Sequence, residues 1–285
     1  MKADYVRKTS EKAFNQLVES VEAGKSHKLV EYLKAMGKFH NYSVVNAILI
    51  GFQRPDATHV AGFRTWKRLG RYVKKGEHGI VIMAPIIYRK KKAEESDDKE
   101  PEDEEIRTFK AVHVFDITQT DGKPLPEFSR VSGNPGVYIE RLKQYVTNNG
   151  IVLIYSDAIG SAEGVSAGGL IRLKKGLAPA EELSVLVHET AHEMLHAGKN
   201  NRPKGKKVRE TEAEAVAFVV CHGIGLDTNS ASSDYIQLYN GDKETLMESL
   251  ERIQRTAAEI LAAVMNTDES KSENAGVESC VAVAA

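Results

Sequence analysis

The sequence predicts an α+β fold in two parts, a mixed region of helices with a small antiparallel sheet, followed by a helix-rich region. Three observations point there. Apolar residues recur at helical spacing near both ends, short Ile- and Val-rich runs lie between them, and a polar stretch with Pro and Gly at 118–135 divides the two. The chain has 285 residues, enough for two compact domains, and 41% hydrophobic with 28% charged residues is a globular composition. Its apolar runs fall short of the ~20 residues a membrane helix needs, so no membrane partner is expected. The charged opening Met1-Lys2-Ala3-Asp4-Tyr5-Val6-Arg7-Lys8 has no secretory signal. Two cysteines, Cys221 and Cys280, make neither a disulfide framework nor a Cys-x-x-Cys site. A reducing cytoplasm fits these features.

Residues 9–38 read as two helices, with Ser10 as N-cap and Phe14, Leu17, Val18 and Val21 on one stripe. Ser43 caps a third helix that runs towards Pro55. A short helix over 63–70 ends at Gly70. Ile80 to Tyr88 is a strand, and Thr108 to Ile117 resumes the pattern and can pair with it. Between them, nine carboxylates crowd residues 93–105, a run that cannot form a core and suits a hairpin loop. After the dividing stretch come a helix (136–148), a strand (Ile151 to Tyr155), a Gly-rich turn (160–169) and a strand (Leu170 to Leu173). Three helices follow: Pro179 to about His196, Arg209 to His222, and Asp242 to Val264. The division is 1–120, 121–265 and a polar tail, 266–285.

Residues 188–192 read His-Glu-Thr-Ala-His. Side chains four apart share a helix face, so His188 and His192 can grip one divalent ion, a single Zn²⁺. Glu189, about 100° round the helix, can act as general base on a water at the open position. A third ligand is sought in Glu210-Thr-Glu212-Ala-Glu214-Ala-Val-Ala-Phe218. Glu214 lies deepest in the apolar part and is the first choice; Glu210, on the same face, is the alternative. His196 continues the histidine face as a second-layer partner, a fourth ligand or a plain helix-end residue. The Gly168 to Leu173 segment suggests an edge strand for an extended peptide.

Charge is unevenly spread. Residues 1–92 hold 19 Lys+Arg against 7 Asp+Glu, and 93–285 hold 20 against 33. Arg64, Lys67, Arg68, Arg71, Lys74 and Lys75 cluster with Trp66 and Tyr72 interleaved, a pattern that neutralises phosphates and stacks unpaired bases. Trp66, at helical spacing with Phe63 and Leu69, also suits a core position.

Two stretches resemble known families. The His188 to His192 helix followed by Glu212-Ala-Glu214-Ala-Val-Ala-Phe218 resembles the ImmA/IrrE group of gluzincin-like metallopeptidases. That resemblance implies a zincin-like domain with zinc on His188, His192 and Glu214, and Glu189 as base. Asn41 to Ile50 and Val60 to Ile80 resemble the single-stranded-DNA-binding domain of ArdC-type antirestriction proteins, which shield the DNA of plasmids, conjugative elements and phages from host restriction. The expected partners are single-stranded DNA, with duplex DNA second, and an unidentified protein or peptide. Two other roles fit the sequence: a DNA-binding protein whose metal is structural, and a regulatory peptidase that cleaves a repressor.

Overall fold

The computed structural model describes residues 2–23, 27–88, 105–124, 135–197, 205–226 and 243–265. The acidic run 93–104, the basic residues Arg89 to Lys92 before it, much of the dividing stretch and the tail with Cys280 lie outside the described residues.

The first three helices form on apolar stripes. They are α1 (Lys2–Glu22), α2 (His27–Lys38) and α3 (Val44–Gln53). The stripe of α1 begins at buried Val6, upstream of the expected cap. Ser10 therefore lies inside the helix, where its hydroxyl donates to the Val6 carbonyl at 2.8 Å instead of capping. Ser43 does cap α3, accepting from the Asn46 N–H at 3.4 Å.

A three-stranded antiparallel sheet follows, ordered β1 (Val60–Gly62), β4 (Glu105–Asp116), β3 (Ile80–Tyr88). Between β1 and β3 come α4 (Phe63–Arg68) and β2 (Arg71–Val73), which pairs with β5 (Thr120–Gly122). The dividing stretch thus begins inside the first part. Strand β3 is an edge, and α3 satisfies it with two side-chain amides. Asn46 donates to the Met83 carbonyl at 2.8 Å and accepts its N–H at 2.9 Å. Gln53 does the same at Val81, at 2.8 and 3.0 Å.

The remainder comprises α5 (Val137–Asn148), β6 (Val152–Tyr155), β7 (Gly164–Ser166), β8 (Leu170–Leu173), α6 (Pro179–His196), α7 (Lys206–Gly223) and α8 (Lys243–Met265). Its sheet order is β6-β8-β7, with β6 parallel and β7 antiparallel to β8. This corrects the expected peptide edge: β8 is central, paired on both sides, and β7, hidden in the Gly-rich turn, is an edge.

Helix α7 is buried along most of its length from Thr211 to Cys221 and packs against α2, α6 and α8. Glycine permits the approach: a Cβ on Gly37 of α2 would lie 2.6 Å from the Val219 carbonyl oxygen of α7. One apolar core runs through, joining Leu29, Leu33 and Met36 to Val216, Val220, Leu250 and Leu261. No described helix is long and apolar enough to cross a membrane.

Candidate metal centre and basic face

Helix α6 starts on Pro179, which has no backbone N–H to leave unpaired, and buries Leu183, Leu186 and Val187. That packing presents His188 and His192 on one face towards α7. Their Nε2 atoms lie 3.1 Å apart. An oxygen of Glu210, in the first part of α7, lies 3.4 Å from His192 Nε2 and 3.7 Å from His188 Nε2. A tetrahedral zinc with bonds of ~2.0–2.1 Å spaces its ligand atoms by roughly 3.3 Å, so these three fit one small cation.

The carboxylate brought to the histidines is Glu210, not Glu214. Among the described residues the group able to hold a metal is His188, His192 and Glu210. Glu214, half-buried one turn further along α7, is not in it. Both share a helix face, and the crossing of α6 over α7 decides which turn meets the histidines.

Electrostatics keep the donors ready. Burial lowers the His188 pKa despite Glu210 beside it. His192 is pushed down to about 4, by burial first and then by His188. Neutral imidazoles are what a cation requires.

Glu189 is 7% exposed and its pKa is raised to about 7, chiefly by burial, with Ser166 hydrogen bonds opposing and Glu210 adding. Ser166 belongs to edge strand β7, which α6 passes so closely that a Cβ on Gly164 would sit 2.7 Å from Glu189 Cγ and from Val185 Cγ1. Glu193 holds the turn after β7, accepting the N–H groups of Gly168 and Gly169 at 2.9 and 2.6 Å.

His196 is more than a helix-end residue. It is 4% exposed, with Nδ1 3.0 Å from His192 Nδ1 and Nε2 3.0 Å from Glu212 Oε2. Glu212, fully buried, also accepts from Ser249 at 2.7 Å and from Arg252, both on α8. Burial would raise its pKa, but the bonds from His196, Arg252 and Ser249 outweigh burial and lower it. Periodicity puts His196 on the metal face; Ser249 and Arg252 carry no sequence signal tying them to it.

The basic segment divides in two. Arg64, Lys67, Arg68, Tyr72, Lys74 and Lys75 are exposed. Lys74 also donates to the Thr118 carbonyl at 3.0 Å. Trp66 is 2% exposed and its indole donates to the Phe115 carbonyl at 2.8 Å, so it is core and cannot stack on a base. Arg71, 9% exposed, is spent on Thr120, Gly122 and Lys123 and clamps β5 rather than a phosphate. Of the three residues at that spacing Trp66 alone turns inwards; Phe63 and Leu69, at the two ends of α4, stay outside at 54% and 46% exposure.

Residues 7–115 match the family described as the N-terminal domain of anti-restriction factor ArdC. An uncharacterized protein of Bacillus anthracis, pXO2-81, is 26% identical over 83% of this chain; the chain spans 47% of that relative's length. Two crystal structures of the antirestriction ArdC protein from plasmid R388, one metal-free and one Mn(II)-bound, align with a TM-score of 0.54. They are 18% and 17% identical, and the alignments cover 91% of this chain and 98% and 99% of theirs. Residues 7–115 therefore carry the pattern of an ArdC N-terminal domain, and the chain has the fold of an antirestriction ArdC protein.

Proposed function

We propose that this protein binds single-stranded DNA and hydrolyses a peptide bond at a divalent-metal site, in the service of protecting a mobile element's DNA from restriction. The observation that carries the reading is the convergence of His188, His192 and Glu210 with a buried carboxylate, Glu189, on the same helix. The Mn(II)-bound form of the similar ArdC protein favours a cation at this centre, and the donor set suits zinc equally. A bound cation supplies Lewis acidity, acidifying a water and polarising a carbonyl.

The chain's own residues do the rest. His188, His192 and Glu210 would hold the ion. Glu189, buried on the same helix as the two histidines, takes a proton from water and returns it to the leaving amine. Strand β7, an edge beside Glu189, offers backbone groups to an extended peptide. On the other part, Arg64, Lys67 and Lys75 meet phosphates while Phe63 and Tyr72 give exposed rings to unpaired bases.

Glu189→Gln tests the hydrolytic half. The variant is expected to bind the metal like the wild type and to lose peptide hydrolysis; hydrolysis at the wild-type rate refutes the role. Protection against restriction retained by that variant assigns the biological effect to DNA binding instead.

A further inference from the structure

We infer that buried Glu212, acting through His196, fixes the proton of His192 on Nδ1 and so leaves Nε2 open for the metal; Glu212, His196, Ser249 and Arg252 are positioning residues. This rests on the metal reading above and deepens it.

The inference follows by counting donors along one line of atoms. Glu212 Oε1 is filled by donors alone, the Ser249 hydroxyl at 2.7 Å and the Arg252 guanidinium. Oε2 faces His196 Nε2 at 3.0 Å, in a place closed to water, since Glu212 is 0% and His196 4% exposed. A carboxylate paired to a guanidinium only accepts, so His196 Nε2 carries a hydrogen. In the neutral ring, that proton on Nε2 makes His196 Nδ1 a bare acceptor. It lies 3.0 Å from His192 Nδ1, which must then be the donor. A neutral His192 protonated at Nδ1 has its lone pair on Nε2, the atom that faces His188 Nε2 and Glu210.

Ligating histidines commonly give their second N–H directly to a carboxylate or carbonyl. Here a second imidazole is interposed, so the instruction passes from α7 and α8 through α6 to the metal face. Reversing one end reverses the whole line. Glu212→Gln is nearly isosteric. Its carbonyl stays with Ser249 and Arg252, and its amide turns N–H towards His196. His196 then protonates Nδ1, and His192 is forced to carry its hydrogen on Nε2, where the metal belongs.

The test reads the tautomers in the metal-free full-length protein by ¹⁵N NMR of labelled histidines, then titrates Zn(II) and Mn(II). The expected wild-type result is His192 protonated at Nδ1 and His196 at Nε2. Glu212→Gln exchanges both and weakens either ion about 10–100-fold. His196→Leu, which keeps Glu212 with Arg252, weakens it similarly, and His196→Gln, able both to accept and to donate, restores most of it. A His192 already protonated at Nε2, or a tautomer and affinity unchanged in folded Glu212→Gln and His196→Leu, overturns the inference. A wild type with the expected tautomers that takes up neither ion sinks the metal reading instead, so the two failures are distinct.

Discussion

Glu189 carries a stability signature that can be read without any substrate. Its pKa rises from 4.5 to about 7, so the folded protein holds that proton more tightly than the unfolded chain. The contribution is full below about pH 4.5 and is lost as the pH rises through 7. In chelator, Glu189→Gln is therefore expected to be more stable than the wild type at pH 8, by about 1–3 kcal/mol, with the gap closing near pH 4.5. Urea unfolding at the two pH values checks this, and a pH-independent difference contradicts it. The basic segment separates by the same logic. Trp66→Phe removes a buried bond and leaves a cavity, costing about 1–3 kcal/mol of stability. Tyr72→Ala, at a 59% exposed residue, is expected to spare stability and to cost about 1–3 kcal/mol of single-stranded-DNA affinity. Denaturation and fluorescence titration distinguish them. At this scale the sequence shows which residue types cluster but not which way each points. Trp66 and Arg71 look like DNA ligands in the string, yet a carbonyl of β4 and the β5 strand claim them.

At the scale of elements, helices were legible and short strands were not. The ends of α6 were read from the sequence as Pro179 and His196, because a long apolar stripe with Pro at its start is a strong local signal. Strands β1, β2, β5 and β7 are three residues each, too short for alternation to register. Missing β7 had a consequence, since it is the strand beside Glu189. His188, Glu189 and His192 share one helix, so periodicity alone places them. The third carboxylate depends on how α6 crosses α7, which no local pattern encodes, and this is why the sequence favours Glu214 while the structure brings Glu210 to the histidines. The amides of Asn46 and Gln53, which close the β3 edge, were equally invisible. Asn46→Ala is expected to cost about 1–3 kcal/mol by stranding the Met83 backbone groups, measurable by urea unfolding; an unchanged midpoint contradicts the role.

Across the whole molecule, α7 joins the basic part to the metal part. Gly37→Ala puts a methyl 2.6 Å from the Val219 carbonyl, and a loss of about 1–3 kcal/mol in one transition common to both parts is expected in urea unfolding followed at both. Two separate transitions, only one of them shifted, would show the parts to be independent. Helix α8 adds a second tie: Gln254 donates to the carbonyls of His40 and Tyr42, while Arg252 and Ser249 on the same helix hold Glu212. The central claim is that His188, His192 and Glu210 converge on one cation. Metal content and affinity of the wild type, Glu210→Gln and Glu214→Gln, measured by mass spectrometry and titration with Zn(II) and Mn(II), test it most directly. One ion per chain, lost or weakened at least tenfold in Glu210→Gln and kept in Glu214→Gln, is the expected result. Full binding by Glu210→Gln with loss in Glu214→Gln would contradict it.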